Sequence, residues 1–156
     1  MYKKIMVPLD GSELAECVLP HVEIFIKECR VNNVIFVRVV EPTSTSFTPT
    51  HAAIEALKKI NEMDESRQNN AGQYLKQIAD KFKNGTTHIH TEAVLGSIPD
   101  TIIDYVDKNK IDLIIMATHG RSGVSRWVRG SVADKVLRAS SVPILLVRAP
   151  GTGGAI

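Results

Sequence analysis

The sequence is short of most features that announce a function. Only two of its 156 residues are cysteine, Cys17 and Cys29. They stand twelve positions apart in one predicted helix, several turns from each other, so they cannot bridge within it; free thiols in a reducing compartment are the simple reading. Long apolar runs are missing too. The opening MYKKIMVPLD carries an apolar stretch too short for a signal-peptide core or a membrane span, so a cytoplasmic protein without a membrane partner is expected. Charge of either sign is nearly balanced, and a formal net charge of +2 gives no reason to expect nucleic acid as a partner. No G-x-x-x-x-G-K-S/T occurs, which excludes P-loop chemistry with its lysine, and no G-x-G-x-x-G follows the first apolar run, which argues against a dinucleotide-binding domain. Internal repeats are absent as well.

What remains is the composition of an ordinary globular chain, 44% apolar and 23% charged. A chain of this length forms one domain and buries roughly 70% of the surface its unfolded form exposes, with no need of a disulfide or structural metal.

Strand and helix patterns alternate along it. Residues 4–9 (KIMVPL) read as a buried strand closed by Asp10-Gly11. Ser12 can cap a helix from Glu13 to about Arg30, with Leu14, Cys17, Val18, His21, Val22, Phe25 and Ile26 at helical spacing. Residues 31–40 (VNNVIFVRVV) are rich in β-branched side chains and read as a second strand. The Pro/Ser/Thr loop 41–50 ends with Thr48 as N-cap and Pro49 at the first helical position. A helical stretch over roughly 52–83 follows, its apolar face supplied by Ile54, Leu57, Ile60, Tyr74, Leu75, Ile78 and Phe82 and interrupted by a polar middle at 61–70; Asn84-Gly85 ends it. Residues 88–95 form a third strand, and Ser97-Ile-Pro-Asp100 starts a helix through Asp107 like a capping box. Then come DLIIMATHG as strand four, SVADKVLRAS as a last helix with its own Ser-x-x-Asp cap, and PILLV, from Pro143 to its end at Val147, as strand five. Five such alternations imply an α/β fold, a parallel sheet with helices on both faces. The segment APGTGGAI is expected to be a flexible tail, residues 149–156 after a domain of 1–148.

The stretch MATHGRSGVSRWVRGSVADK, residues 116–135, places three glycines and three arginines after strand four, and no carboxylate lies between Leu113 and Ala133. In open parallel sheets the ligand sits at the carboxyl ends of the strands, where strand order reverses and two loops diverge. If strand one is central with strand four beside it, PLDGS and ATHGRSG face each other there. Asp10 can then accept hydrogen bonds from ribose hydroxyls, and the glycine-rich loop can bring backbone N–H groups close to phosphate oxygens. Gly130-Ser131 opens the last helix, whose first N–H groups have no partner within the helix and whose dipole favours an anion. The dipole contributes about 0.3–2 kcal/mol, whereas micromolar affinity needs about 8 kcal/mol. Several N–H contacts and burial of an aromatic base must supply the difference, with Val39, Pro8 and Met116 as walls. Arg121, Arg126 and Arg129 are placed to neutralise phosphate or, equally, to solvate a surface loop.

These residues resemble the universal stress protein family over nearly the whole chain. KKIMVPLDGSELAE is similar to the family's first strand and turn, and VPILLV to its last strand. The family's nucleotide signature is G-x-x-G, nine residues, then G-S/T; Gly120, residues 121–129 and Gly130-Ser131 match its second half, while Ala117 stands where the first glycine belongs. The resemblance implies a doubly wound, Rossmann-like five-stranded sheet ordered 3-2-1-4-5, a homodimer formed through strand five, and, in the nucleotide-binding branch, ATP at the site described, with any Mg or Mn carried by the phosphates. It further implies Asp10 on ribose, the Val39 backbone on adenine, Gly120, Gly130, Ser131 and Val132 on the phosphates, and Pro8, Leu9, Met116 and Ala117 lining base and sugar. A methyl at Ala117 tolerates a positive φ poorly, so the site is expected to survive if this residue holds ordinary strand geometry.

Other reactive side chains have plainer readings. His119 has no serine, cysteine or second carboxylate to complete a catalytic set, so a structural hydrogen bond is the expected role. His88 and His90 share one face of strand three without an acidic or cysteine cluster for a metal. His21 and His51 read as surface residues, Trp127 as a packing residue, and Asp10 has an alternative as a turn former. Four apolar residues in a row at an edge strand need cover, which a two-fold partner would supply. Three readings stay open: an ATP-binding stress-response regulator with slow or absent hydrolysis, an interaction module with a vestigial cleft, and a slow ATPase.

Overall fold

The structure, a computed structural model, describes residues 2–44, 51–83, 85–118 and 132–149. Its strands are β1 (Lys4–Pro8), β2 (Asn33–Val40), β3 (His88–Leu95), β4 (Leu113–Thr118) and β5 (Ile144–Arg148). Its helices are α1 (Leu19–Cys29), α2 (His51–Asp80), α3 (Ile98–Asn109) and α4 (Val132–Ala139). All strand pairs are parallel, in the order β3-β2-β1-β4-β5. The period of two along each strand separates two layers of core. Ile5, Val7, Val34, Phe36, Leu113 and Ile115 pack with α1 and α2, while Met6, Ile35, Val37, Ile114 and Met116 pack with α3 and α4. Covering a parallel sheet on both faces explains why the central strands read as unbroken apolar runs.

The first helix departs from its predicted single span. A 3-10 turn, Ala15–Val18, precedes α1. Pro20 is the cause, since without an N–H it cannot bond the Glu16 carbonyl, and the chain ahead of it uses tighter bonds, from Ala15 N–H to Ser12 O (3.1 Å) and from Glu16 N–H to Glu13 O (3.2 Å). The Ser12 hydroxyl accepts the Ala15 N–H at 3.2 Å, so Ser12 does cap the segment. His21 shares the helical spacing of the apolar positions and is exposed, as its reading as a surface residue expects.

Helix α2 runs unbroken for 30 residues. At about 45 Å it is far longer than the eight-residue strands β2 and β3 on which it packs, so it overhangs them. That overhang corrects the predicted apolar face, for Ile54 and Leu57 are 56% and 44% exposed while Leu75 and Ile78 are buried. The polar middle also has a physical reason. Asp64 is buried there and accepts the Thr43 N–H (3.0 Å) and hydroxyl (2.9 Å), and Arg67 binds both Asp64 (3.1 Å) and the Glu41 carbonyl (3.0 Å), which clasps the chain leaving β2 onto α2. The Thr43 amide, its hydroxyl and Arg67 together hold the Asp64 carboxyl below its ordinary pKa against the opposing effect of burial.

The remaining boundaries shift by little. β2 starts at Asn33 instead of Val31, because Asn32 and Asn33 both donate to the Lys3 carbonyl as the chain enters the sheet. α3 continues to Asn109 and ends at Lys110 in left-handed geometry, φ 52°, as α1 ends at Arg30. The expected capping box does not form: Ser97 makes no bond to a backbone N–H, and its hydroxyl instead donates to the Asp100 carboxylate at 2.8 Å. Ala149, assigned to the tail, is buried and donates to the Thr118 carbonyl at 3.2 Å. The Thr48-Pro49 cap, Asn84, Ser131 of the last helix cap and residues 150–156 lie outside the described residues.

Candidate functional site

Strands β1 and β4 part early. β1 stays in register with β2 up to Pro8 and Val37, whereas its pairing with β4 covers only Ile5 with Leu113 and Met6 with Ile114. Leu9 donates to the Val37 carbonyl at 2.9 Å, so by alternation Pro8 turns its backbone toward β4, where it has no N–H to give. The separation opens a cleft of about 270 Å³ at the carboxyl end of the sheet, on the switch point where strand order reverses.

One edge of this cleft is unpaired backbone. Asn33 donates to Lys3 and Val37 accepts from Leu9, so the odd-numbered residues of β2 face β1. Val40 accepts from Gly96, so the even-numbered ones face β3. Val39 therefore points its N–H and C=O to the β1 side, at a level where β1 has already turned away at Asp10. Among the described residues neither group has a hydrogen-bond partner. A donor and an acceptor side by side on one strand edge match the donor–acceptor edge of a heterocyclic base, and leaving them unmet in a dry pocket costs about 1–3 kcal/mol each.

At the rim, Asp10 folds an Asx turn: its Oδ1 accepts the Ser12 N–H at 2.8 Å and the Ser12 hydroxyl at 2.6 Å. Gly11 holds φ 88°, a conformation that L side chains rarely adopt. The turn-former reading of Asp10 is thus present in the geometry, and the same turn fixes the carboxylate beside the cleft that it lines.

Pro8, Leu9, Asp10, Val39, Met116, Ala117 and Val132 all line this one cleft. Gly120, Arg129, Gly130 and Ser131 lie outside the described residues, as do His119, Arg121, Arg126 and Trp127. The chain between Thr118 and Val132 nevertheless starts and finishes at the cleft, because both of those residues line it. Sequence reasoning missed Ala15, Val37, Thr118, Ala133 and above all Ile98 and Ile102, which bring the first turns of α3 against the cleft. A helix that follows β3 begins at the carboxyl end of the sheet, where the ligand loops are, but which of its residues lean over the cleft is not written in its spacing. Ala117 lies in β4 in register with Val147, packs against the core on the α1 and α2 side, and is not among the residues with positive φ. Its condition for an intact site, ordinary strand geometry, is met.

The walls are almost wholly aliphatic, with Asp10 and Thr118 the polar lining residues. Such a pocket suits a flat apolar body carrying a few polar groups at its edge. Among the described residues no group of three His, Cys, Asp or Glu is placed to hold a metal. His88 and His90 are exposed on β3, with His90 Nε2 3.3 Å from Asn33 Oδ1. Cys17 and Cys29 are free thiols. Among the described residues no helix is long and apolar enough to cross a membrane.

A parallel sheet ordered β3-β2-β1-β4-β5 with helices on both faces and a cleft at its switch point defines the class of Rossmann-like α/β domains. Within it, the sequence model of the universal stress protein family matches residues 1–148, and the chain belongs to that family. Universal stress protein MJ0531 of Methanocaldococcus jannaschii is 31% identical over 150 residues, covering 96% of this chain and 84% of that protein. MJ0577 of the same organism is 27% identical, covering 95% and 96%. The solved structure of MJ0577 superposes with a TM-score of 0.76 over 97% of this chain and 99% of that one. A universal stress protein solved in complex with cAMP shares the fold at 20% identity, with a TM-score of 0.58 over 95% of this chain and 98% of its own.

Proposed function

We propose that this chain binds an adenine nucleotide, ATP in the first instance, between β1 and β4 and acts as a homodimeric, nucleotide-dependent regulator in a stress response. The observation that carries the reading is the unpaired Val39 N–H and C=O at the edge of an aliphatic cleft. An adenine ring between Met116, Pro8 and the α3 isoleucines would meet both backbone groups with its own donor and acceptor. Asp10, held by its turn at the rim, is placed to accept from ribose hydroxyls. The phosphates would then extend toward the amino end of α4, where Val132 and Ala133 line the cleft, and toward Gly120, Arg129, Gly130 and Ser131. Any Mg or Mn would arrive on those phosphates. That a protein of this fold was solved with cAMP supports the adenine assignment.

The dimer reading rests on β5. Ile114 donates to Pro143 and Ala149 donates to Thr118, so residues 143, 145, 147 and 149 face β4, while Ile144 and Leu146 turn their backbone groups to the open edge. A second copy pairing there would satisfy them and cover the apolar strand. Cytoplasmic residence agrees with the two free cysteines. Strand geometry at Ala117 speaks against an empty interaction module. Mass spectrometry of the small molecules released from freshly purified protein tests the reading: adenine nucleotide in near-stoichiometric amount supports it, and protein that neither carries nor takes up any adenine nucleotide refutes it.

A further inference from the structure

The rim of the cleft is backed from the far side of the sheet by one arginine. Alternation along β2 sends Val37 and Val39 to the cleft and Arg38 to the face covered by α2. There the guanidinium lies against the bare Cα of Gly11. A Cβ built at Gly11 would stand 2.7 Å from Nη1, 2.8 Å from Cζ and 3.0 Å from Nη2. Three nearly equal distances mean that the planar group presents its face to the turn. The same group sits over the Tyr74 ring, with Cζ 5.4 Å from the centroid. Tyr74 donates to Glu16 at 3.2 Å, and Lys81 pairs with the other oxygen of Glu16 at 3.3 Å, so the ring is tied to the 3-10 turn and to the end of α2. Burial, then Glu16 and Asp10, push the Tyr74 phenol well above its ordinary pKa while Arg38 opposes the rise, so the phenol stays a neutral donor.

We propose that Arg38 is a positioning residue that fixes the Asp10–Gly11 turn and thereby sets selectivity for the sugar of the bound nucleotide. This rests on the nucleotide reading given above. Gly11 leaves a gap where a side chain would be, and the guanidinium fills it with a flat surface braced by Tyr74. The turn is exposed and carries positive φ, and the guanidinium adds a rigid backing to its Asx bonds. With Arg38 behind it, Asp10 is held at one angle to the sugar hydroxyls. One strand then serves both ends of a nucleoside, with the Val39 backbone for the base and the Arg38 plane for the acid that meets the ribose.

The test is calorimetric titration of nucleotide-free protein with ATP and with its 2′-deoxy and 3′-deoxy analogues, for the parent protein and for Arg38→Met and Arg38→Lys, each checked for an unchanged melting profile. The parent is expected to favour ATP over at least one analogue by about tenfold or more, the loss of one charge-assisted hydrogen bond. Arg38→Met keeps the stem and removes the plane, so the preference should fall to within about twofold while the analogues bind nearly as before. Arg38→Lys keeps the charge without the flat face and should lose the preference too, which also serves if the methionine variant does not fold. Equal weakening of all three ligands, an unchanged preference in both variants, or full preference in Arg38→Lys overturns the proposal. A parent that binds ATP without preferring it overturns the proposal and leaves nucleotide binding standing, whereas a parent that binds none of the three removes the nucleotide reading itself.

Discussion

Replacing Val39 with proline separates the role of its backbone from that of the fold. Proline in a central strand normally removes a ladder bond. Here the Val39 N–H faces the gap left by β1 and bonds none of the described residues, so no ladder bond is at stake. The side chain is only half-buried against the α3 and α4 layer, and its truncation should cost about 1 kcal/mol. Binding should suffer more. Loss of one hydrogen bond to the base weakens affinity by about 0.5–1.5 kcal/mol, roughly two- to tenfold, and the ring carbon that replaces the proton adds to that by pushing the base outward. Val40→Pro is the control. Val40 turns its backbone to β3, as the bond from Gly96 N–H to its carbonyl at 3.0 Å shows, so its N–H is on the ladder side and proline there removes a donor from the β2–β3 ladder and should destabilise the protein well beyond the Val39 variant. Thermal melts and ATP titrations on both variants decide the matter. A Val39→Pro protein that melts as early as Val40→Pro, or that keeps the parental affinity for ATP, would refute the reasoning.

Three further outcomes follow from the same geometry. Leu146→Pro removes a backbone N–H that faces the open edge of β5, so sedimentation should show the parent as the proposed dimer and the variant as a folded monomer; a variant that sediments as the parent does contradicts an interface at β5. Asp64 has a folded pKa below its unfolded value of about 3.9, so its clasp on Thr43 stabilises the protein above about pH 4 and is lost as pH falls through the lowered folded value. Asp64→Asn should therefore melt earlier than the parent at neutral pH, with the gap closing in acid, and a gap independent of pH would contradict the clasp. Lys110 ends α3 in left-handed geometry, so Lys110→Gly should raise stability by up to about 1 kcal/mol, measured by urea unfolding, and a loss of stability would show that the lysine side chain matters more than its backbone.

The order of elements was legible because the central strands of a parallel sheet, here β1, β2 and β4, are buried on both faces and read as apolar runs. The third strand, His88–Leu95, matched its prediction at both ends even though its pattern alternates weakly. Where reading along the chain failed, a bond distant in sequence had decided the outcome. The polar middle of α2 looked like a weakness in the helix, yet it holds Asp64, whose partner Thr43 lies 21 positions away. Ile54 and Leu57 keep helical spacing and still face solvent, since periodicity reports a face without reporting whether anything lies under it. At the cleft, Pro8, Asp10, Val39 and Met116 could be named because strand ends carry the ligand in such sheets. The α3 isoleucines could not, since placing them there requires knowing how that helix leans across the sheet. Arg38 was hidden for a related reason: a charged residue in an apolar strand reads as an exposed break until Gly11 and Tyr74 are seen around it.

The central claim is that an adenine nucleotide occupies the gap between β1 and β4, and nuclear magnetic resonance locates a ligand directly. ATP added to isotope-labelled, nucleotide-free protein should shift the Val39 amide and the methyl groups of Met116, Ile98 and Ile102 saturably and together, while the distant edge at His88 stays still. Absence of any shift, or shifts gathered away from those four residues, would contradict the account.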